Sequence, residues 1–117
     1  MALPTFPENF TFAAYKKEFD ENFPKRQNEL LKSEMTKIYD LVKAHAYRAD
    51  NRINFVKFEL DNKLALGQRR YLIQELLNRF PKIECQIHTS TNRSNYYITE
   101  VTDEVAYAMY YVIDLTD

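Results

Sequence analysis

The most regular pattern of apolar and polar positions lies in residues 53–88. Residues 53–60 (INFVKFEL) are rich in β-branched and aromatic side chains and alternate as a strand does. From Leu66 to Phe80 the apolar residues recur at helical spacing, and Pro81 ends that run because the residue before a proline avoids the α region. Residues 83–88 alternate strictly again, with Ile83, Cys85 and Ile87 on one face. The pattern predicts a β-α-β unit.

Two helices are predicted before this unit. Residues 1–24 form a proline-punctuated aromatic arm and a first helix, which Asn9 or Thr11 would cap. Pro24 would end that helix or open the next, since proline is tolerated at a first helical position. Residues 25–50 hold apolar side chains at alternating spacings of four and three, which predicts a long amphipathic helix lying on a sheet.

Two further strands are predicted after the unit. Residues 96–101 form the third strand and pair as a hairpin with residues 82–88. Residues 103–115 alternate at period two and are assigned to a fourth strand, although their Ala and Met content leaves a helix beginning at Asp103 as the alternative. The predicted fold is a single α+β domain of residues 1–117. It has two N-terminal helices followed by a β-α-β-β-β unit (residues 53–117), with helices packed on one face of a small, mostly antiparallel sheet.

Composition indicates the cellular location and the source of this domain. No apolar run approaches the roughly 20 residues needed to cross a bilayer, and the first residues lack the pattern of a secretory signal. A single cysteine cannot form an internal disulfide. These features predict an intracellular protein, in the cytoplasm or, for a viral protein, in the host cytoplasm or nucleus. The abundance of Phe, Tyr, Asn, Ile and Lys, which have AT-rich codons, favours a virus, a phage or an AT-rich bacterium as the source.

Candidate chemistry is sparse. His45, Cys85 and His88 are the candidate metal ligands, and Cys85 and His88, three apart in a strand, fall on opposite faces. A single glycine, Gly67, leaves no glycine-rich phosphate loop, nucleophile elbow or dinucleotide fingerprint. We therefore expect no catalytic residues, no metal, no cofactor and no small-molecule substrate.

Aromatic residues are the main candidates for contact with a protein partner. The nine tyrosines and eight phenylalanines exceed what a small core needs, and tyrosine is enriched at interfaces. Helical spacing places one ring stripe on the first helix, formed by Phe12, Tyr15, Phe19 and Phe23. This stripe is interpreted as docking the helix on the protein's own core, with packing into a neighbouring copy as the alternative. The predicted partner-binding residues are Phe6, Phe10, Tyr97 and Tyr110.

Charge suggests a second class of partner. Residues 25–52 and 53–98 each carry seven basic and four acidic residues, whereas residues 99–117 carry five acidic residues and no basic one. This asymmetry fits a charged partner, head-to-tail self-association or internal pairing, and we adopt internal pairing as the simplest interpretation. The candidate nucleic-acid-binding residues are Lys63, Arg69, Arg70 and Arg93.

The helix that carries Arg69 and Arg70, followed by a hairpin with Arg93 at its tip, is similar to the second half of a winged-helix domain. The resemblance covers residues 64–101 and implies a helix in the major groove and a wing on the DNA backbone. The function predicted first is nonetheless a small non-enzymatic interaction or assembly module that binds a protein or its own copies and no membrane. A nucleic-acid-binding accessory protein is the alternative.

Overall fold

The computed structural model describes residues 2–47, 54–87 and 95–116. It is an α+β fold with a four-stranded antiparallel sheet. Its elements in chain order are α1 (Phe12–Ala46), β1 (Phe55–Phe58), α2 (Leu66–Arg79), β2 (Ile83–Gln86), β3 (Tyr96–Tyr97), α3 (Asp103–Ala106) and β4 (Tyr110–Asp114).

The last strand occupies the middle of the sheet. The spatial order is β1-β4-β2-β3, and every neighbouring pair is antiparallel. β1 and β2, which α2 connects, therefore run parallel to each other with β4 inserted between them. Ile113 of β4 lies opposite Val56 on one side and Ile83 on the other. The β1-α2-β2 unit thus leaves a gap that only the C-terminal segment fills.

The core lies on one face of this sheet. Strand residues alternate between buried side chains and side chains that are exposed or half-buried, as the pleat requires when one face is covered. The Phe58 and Tyr111 rings stack within the core, with centroids 5.2 Å apart. The helices contribute Ile38 from α1 and Leu72 and Ile73 from α2. The prediction of helices on one face of an antiparallel sheet is confirmed.

The N-terminal region differs from the prediction because it forms one helix of 35 residues. The Thr11 hydroxyl accepts a hydrogen bond from the Ala14 N–H and caps its start, as predicted. Pro24 lies inside the helix. A proline removes one helical hydrogen bond, but this part of α1 is exposed, so water can bind the carbonyl that is left over. Good helix formers on both sides then continue α1 through the proline.

The C-terminal region combines both predicted alternatives. Residues 103–106 form a single helical turn, because the Thr102 hydroxyl accepts from the Val105 N–H at its start. Strand structure begins only at Tyr110. The long fourth strand from residue 103 was therefore wrong in its first half, and Tyr107 and Met109 are exposed. The predicted β2–β3 hairpin is confirmed, although its strands are shorter than expected.

A buried arginine holds the helical layer together. The Arg69 side chain on α2 is buried, and its guanidinium donates to three backbone carbonyls. Nε reaches the Leu64 oxygen at 2.6 Å, Nη2 the Asp61 oxygen at 2.8 Å and Nη1 the Ala106 oxygen at 3.2 Å. The guanidinium carbon also lies 4.6 Å from the centroid of the Tyr107 ring. Arg69 therefore joins α2, the β1–α2 loop and α3.

Two polar side chains of α1 bind the same loop. The Gln27 amide donates to the Lys63 carbonyl at 2.9 Å and accepts from the Ala65 N–H at 2.8 Å. One carboxylate oxygen of Glu34 accepts from the Asp61 N–H at 2.7 Å, and the other lies 2.7 Å from the Lys37 ammonium. The β1–α2 loop is therefore hydrogen-bonded from both helices, which explains why these polar side chains are buried.

Replacing Arg69 with alanine should destabilise the fold strongly. The change removes the guanidinium donor from the Leu64 and Ala106 carbonyls, whereas the Asp61 carbonyl keeps the Leu64 N–H as a donor. At about 1–3 kcal/mol for each of the two carbonyls, we expect a loss of about 2–6 kcal/mol in unfolding free energy. Arg70→Ala is the matched control. Arg70 is exposed and pairs with Asp103, and such a pair contributes less than about 1 kcal/mol. Urea unfolding followed by circular dichroism measures both, and equal losses would contradict the role of Arg69.

Tyr111 should make the fold sensitive to alkaline pH. Burial raises the pKa of Tyr111, whose hydroxyl donates to the Val105 carbonyl. The folded state then keeps this proton above about pH 10, where the unfolded chain releases it, so stability falls as pH rises through that range. We expect unfolding free energy to decrease above about pH 10 less steeply in Tyr111→Phe than in the unchanged protein. If the unfolding free energies of the two proteins, measured by urea unfolding, fall equally steeply with pH, this role of Tyr111 is contradicted.

Candidate functional site

The N-terminal part of the chain carries an unpacked aromatic surface. Residues 2–26 are exposed, except for half-buried Ala14, and the first buried residue of α1 is Gln27. The first fifteen residues of α1 therefore extend away from the sheet, and the Cα positions span 74 Å along the longest axis. We define the N-terminal aromatic surface as Phe6, Phe10, Phe12, Tyr15, Phe19 and Phe23.

Local structure gathers these rings. A turn in which the Phe10 N–H bonds to the Pro7 carbonyl brings the Phe6 and Phe10 rings to 4.8 Å. Helical spacing aligns the other four as a stripe. Successive ring centroids along this aromatic stripe (Phe12, Tyr15, Phe19, Phe23) lie 6.4, 6.0 and 5.0 Å apart. The six exposed rings thus form two contacting groups, the Phe6–Phe10 pair and the four-ring stripe.

The exposed area of this surface is large for a chain of this size. Each ring is between 39% and 79% exposed. With about 200 Å² per aromatic side chain, the six together expose on the order of 700 Å². That area exceeds the largest apolar patch of a typical monomer and approaches the roughly 800 Å² that one partner contributes to a standard interface. Among the described residues the stripe does not dock on the protein's own core, and that interpretation was wrong.

A second apolar surface is the groove between α1 and α2, with a volume of about 820 Å³. We call it the α1–α2 groove. Its apolar lining includes Leu31, Met35, Tyr39 and Val42 from α1 and Tyr71, Leu76 and Phe80 from α2. Its charged lining residues are Lys32, Lys43, Glu75 and Arg79. Tyr39 and Tyr71 are 62% and 56% exposed, so their rings flank the groove on the solvent side.

Tyr97 and Tyr110 lie elsewhere, on the sheet face opposite the helices. The Tyr97 hydroxyl donates to Asp114 at 3.2 Å, and this bond raises the pKa of Tyr97. The Tyr110 ring lies 4.2 Å from the Lys57 ammonium, and its hydroxyl donates to Asn95. The four predicted partner-binding residues thus divide into two groups. Phe6 and Phe10 contact each other, whereas both tyrosines are engaged on the open sheet face.

The candidate nucleic-acid-binding residues do not all reach the surface. Arg69 is buried and bonded to backbone carbonyls, and the Arg70 guanidinium pairs with Asp103 at 2.5 Å. Lys63 lies in the β1–α2 loop with an exposed side chain. Arg93 lies outside the described residues. Helical spacing alone suggested that Arg69 faces solvent, and only the position of α3 beside α2 explains its burial.

Cys85 is the one thiol in the chain, and it is buried in β2. Burial raises the pKa of Cys85, which opposes formation of the nucleophilic thiolate. Across the described residues, no three His, Cys, Asp or Glu side chains converge as metal ligands would. His88 lies outside these residues, and His45 is half-buried on α1.

Sequence reasoning identified the aromatic stripe but missed the α1–α2 groove. The α1 residues of the groove were assigned to a face lying on the sheet, and Tyr39 and Tyr71 were not singled out. The available signal was the width of the apolar face on both helices, which exceeds what one small sheet covers. No family model, curated protein sequence or solved structure matches this chain. No helix in the described part of the chain is long and apolar enough to span a membrane.

Proposed function

We propose that this protein is a non-enzymatic assembly module whose copies associate through the N-terminal aromatic surface. The observation that carries the proposal is the line of four exposed rings on a helix segment beyond the folded body, preceded by the exposed Phe6–Phe10 pair. Burying such an area is the main favourable contribution to protein association. The size of this surface matches one side of a standard interface.

The helix segment itself supports the same function. Residues 12–26 gain no burial from the sheet, and most helical stability in proteins comes from packing of an apolar face. Pro24 adds a further cost inside the helix. A partner that covers the stripe would stabilise this segment while it buries the rings. Helix formation and association would then support each other.

The alternative, a nucleic-acid-binding accessory protein with a winged-helix-like helix and hairpin, has narrower support. It now rests on Lys63 and on Arg93, since Arg69 is buried and Arg70 is paired. The overall charge of −1 gives no general attraction to phosphates. Self-association uses a surface that has no other role among the described residues, and we therefore favour it.

Association should depend on the stripe. Phe12→Glu/Phe19→Glu places two charges among the rings, so we expect this variant to be monomeric at concentrations where the unchanged protein assembles. Ala13→Glu/Lys17→Glu is the matched control, because it adds acidic residues to the same exposed helix away from the stripe. Sedimentation velocity over a wide range of concentrations gives the masses, relative to 14.0 kDa for one chain.

A monomer at every concentration for the unchanged protein would overturn the proposal. Equal weakening by Ala13→Glu/Lys17→Glu would also overturn the role of the rings, because general acidity would then explain the effect. Circular dichroism should show that all variants keep the sheet and helices, since the replaced side chains are exposed.

Nucleic-acid binding should be weak and should not depend on the basic candidates. In titrations with single- and double-stranded DNA and RNA at low salt, we expect no association that weakens steeply as salt is added. The variant Lys63→Ala/Arg93→Ala should behave as the unchanged protein does. Tight, salt-dependent binding that this variant loses would favour the alternative function.

A further inference from the structure

We propose that the acceptor for the aromatic stripe is the α1–α2 groove of a second copy, so that copies join head to tail. The inference rests on the proposed function and adds where the stripe binds. The groove is apolar along its length and lies near the end of α1 opposite the stripe. A helix whose apolar side chains enter a groove between two other helices is a common mode of recognition.

Length and spacing match between the two surfaces. The stripe runs from Phe12 to Phe23, and the groove's apolar residues on α1 run from Leu31 to Val42. Each covers eleven helical steps, or about 16 Å at 1.5 Å per residue. The ring positions i, i+3, i+7 and i+11 are the anchor spacing that a helix uses when it lies in a groove.

Charge also matches. Residues 2–23 contain the four acidic residues Glu8, Glu18, Asp20 and Glu21 and the two basic residues Lys16 and Lys17. The groove is lined by three basic residues and one acidic residue, which are Lys32, Lys43, Arg79 and Glu75. As far as the end of the stripe the donor is therefore net negative, before Lys25 and Arg26 begin the basic part of the chain, and the acceptor is net positive. Because these charges are opposite in sign, they favour the N-terminal segment of a second copy as the molecule that occupies the groove.

The positions of both surfaces around α1 determine the symmetry. At 100° per residue, the mean directions of the stripe and of the groove's α1 residues differ by about 150°. The side chains that bind α1 to the rest of the fold, Gln27, Glu34 and Ile38, point between them. A straight partner helix on the stripe of one copy cannot also lie in that copy's groove. Two copies therefore cannot each place their stripe in the groove of the other.

A contact between two different surfaces is heterologous, and it produces rings when the rotation closes and open chains when it does not. Each copy offers one donor and one acceptor. The predicted assembly grows by addition of copies, with a free stripe at one end of an open chain and a free groove at the other. This differs from direct stripe-to-stripe pairing, which would stop at a dimer.

Complementation between two variants tests this arrangement. Phe12→Glu/Phe19→Glu removes the donor, and Tyr39→Glu/Tyr71→Glu removes the acceptor at two exposed groove residues whose replacement leaves the core intact. Both substitutions are acidic, so the two altered surfaces repel each other. Each variant alone should be monomeric. Their mixture should form a one-to-one complex of twice the 14.0 kDa chain mass that grows no further, measured by sedimentation velocity.

The outcomes separate the two proposals. If Tyr39→Glu/Tyr71→Glu assembles as the unchanged protein does while the donor variant is monomeric, the groove is not the acceptor, and stripe pairing remains. If the unchanged protein is monomeric, the proposed function itself fails. Two monomeric variants that do not combine would also overturn the groove as acceptor. As a second variant, Lys32→Glu/Lys43→Glu should weaken association by about tenfold or more through charge reversal.

Discussion

The arrangement of helices on the sheet depends on one buried cation. Arg69 is 5% exposed, and its guanidinium satisfies three carbonyls from the β1–α2 loop and α3. A buried charge is costly unless hydrogen bonds replace its water, so this site tolerates little displacement of any of its partners. α3 is only one turn long and leads directly into β4. Holding α3 against α2 therefore also places the strand that completes the middle of the sheet.

The same loop connects the long helix to the body. Gln27 and Glu34 bind the loop from the other side, and Ile38 enters the core close by. These contacts all lie at or beyond Gln27, because the sheet of four short strands is too small to cover 35 residues of helix. The N-terminal half is thus left with its rings in solvent for a geometric reason. This exposed apolar stripe is the basis of the self-association that we propose.

The two free surfaces of α1 have different origins. The stripe lies on a single helix and needs no second element to form it. It is exposed because that helix extends beyond the folded body. The α1–α2 groove arises only because α2 packs beside α1 and leaves space between Tyr39 and Tyr71. Their separation on either side of the body-facing residues is the geometric reason why the contact that we propose between copies is head to tail.

Sequence periodicity was sufficient for the local elements. The β1-α2-β2 unit, the β2–β3 hairpin, the Thr11 cap and the buried face of Ile83 and Cys85 follow from local spacing, because strand and helix periods depend only on neighbouring residues. Tertiary structure decided the rest. Whether α1 continues through Pro24 depended on its exposure, and whether residues 103–115 became strand depended on the gap between β1 and β2. The burial of Arg69 and the exposure of the aromatic stripe also depended on tertiary structure. Burial is determined by the distant segments that pack against a residue, and periodicity along one segment carries no information about those segments.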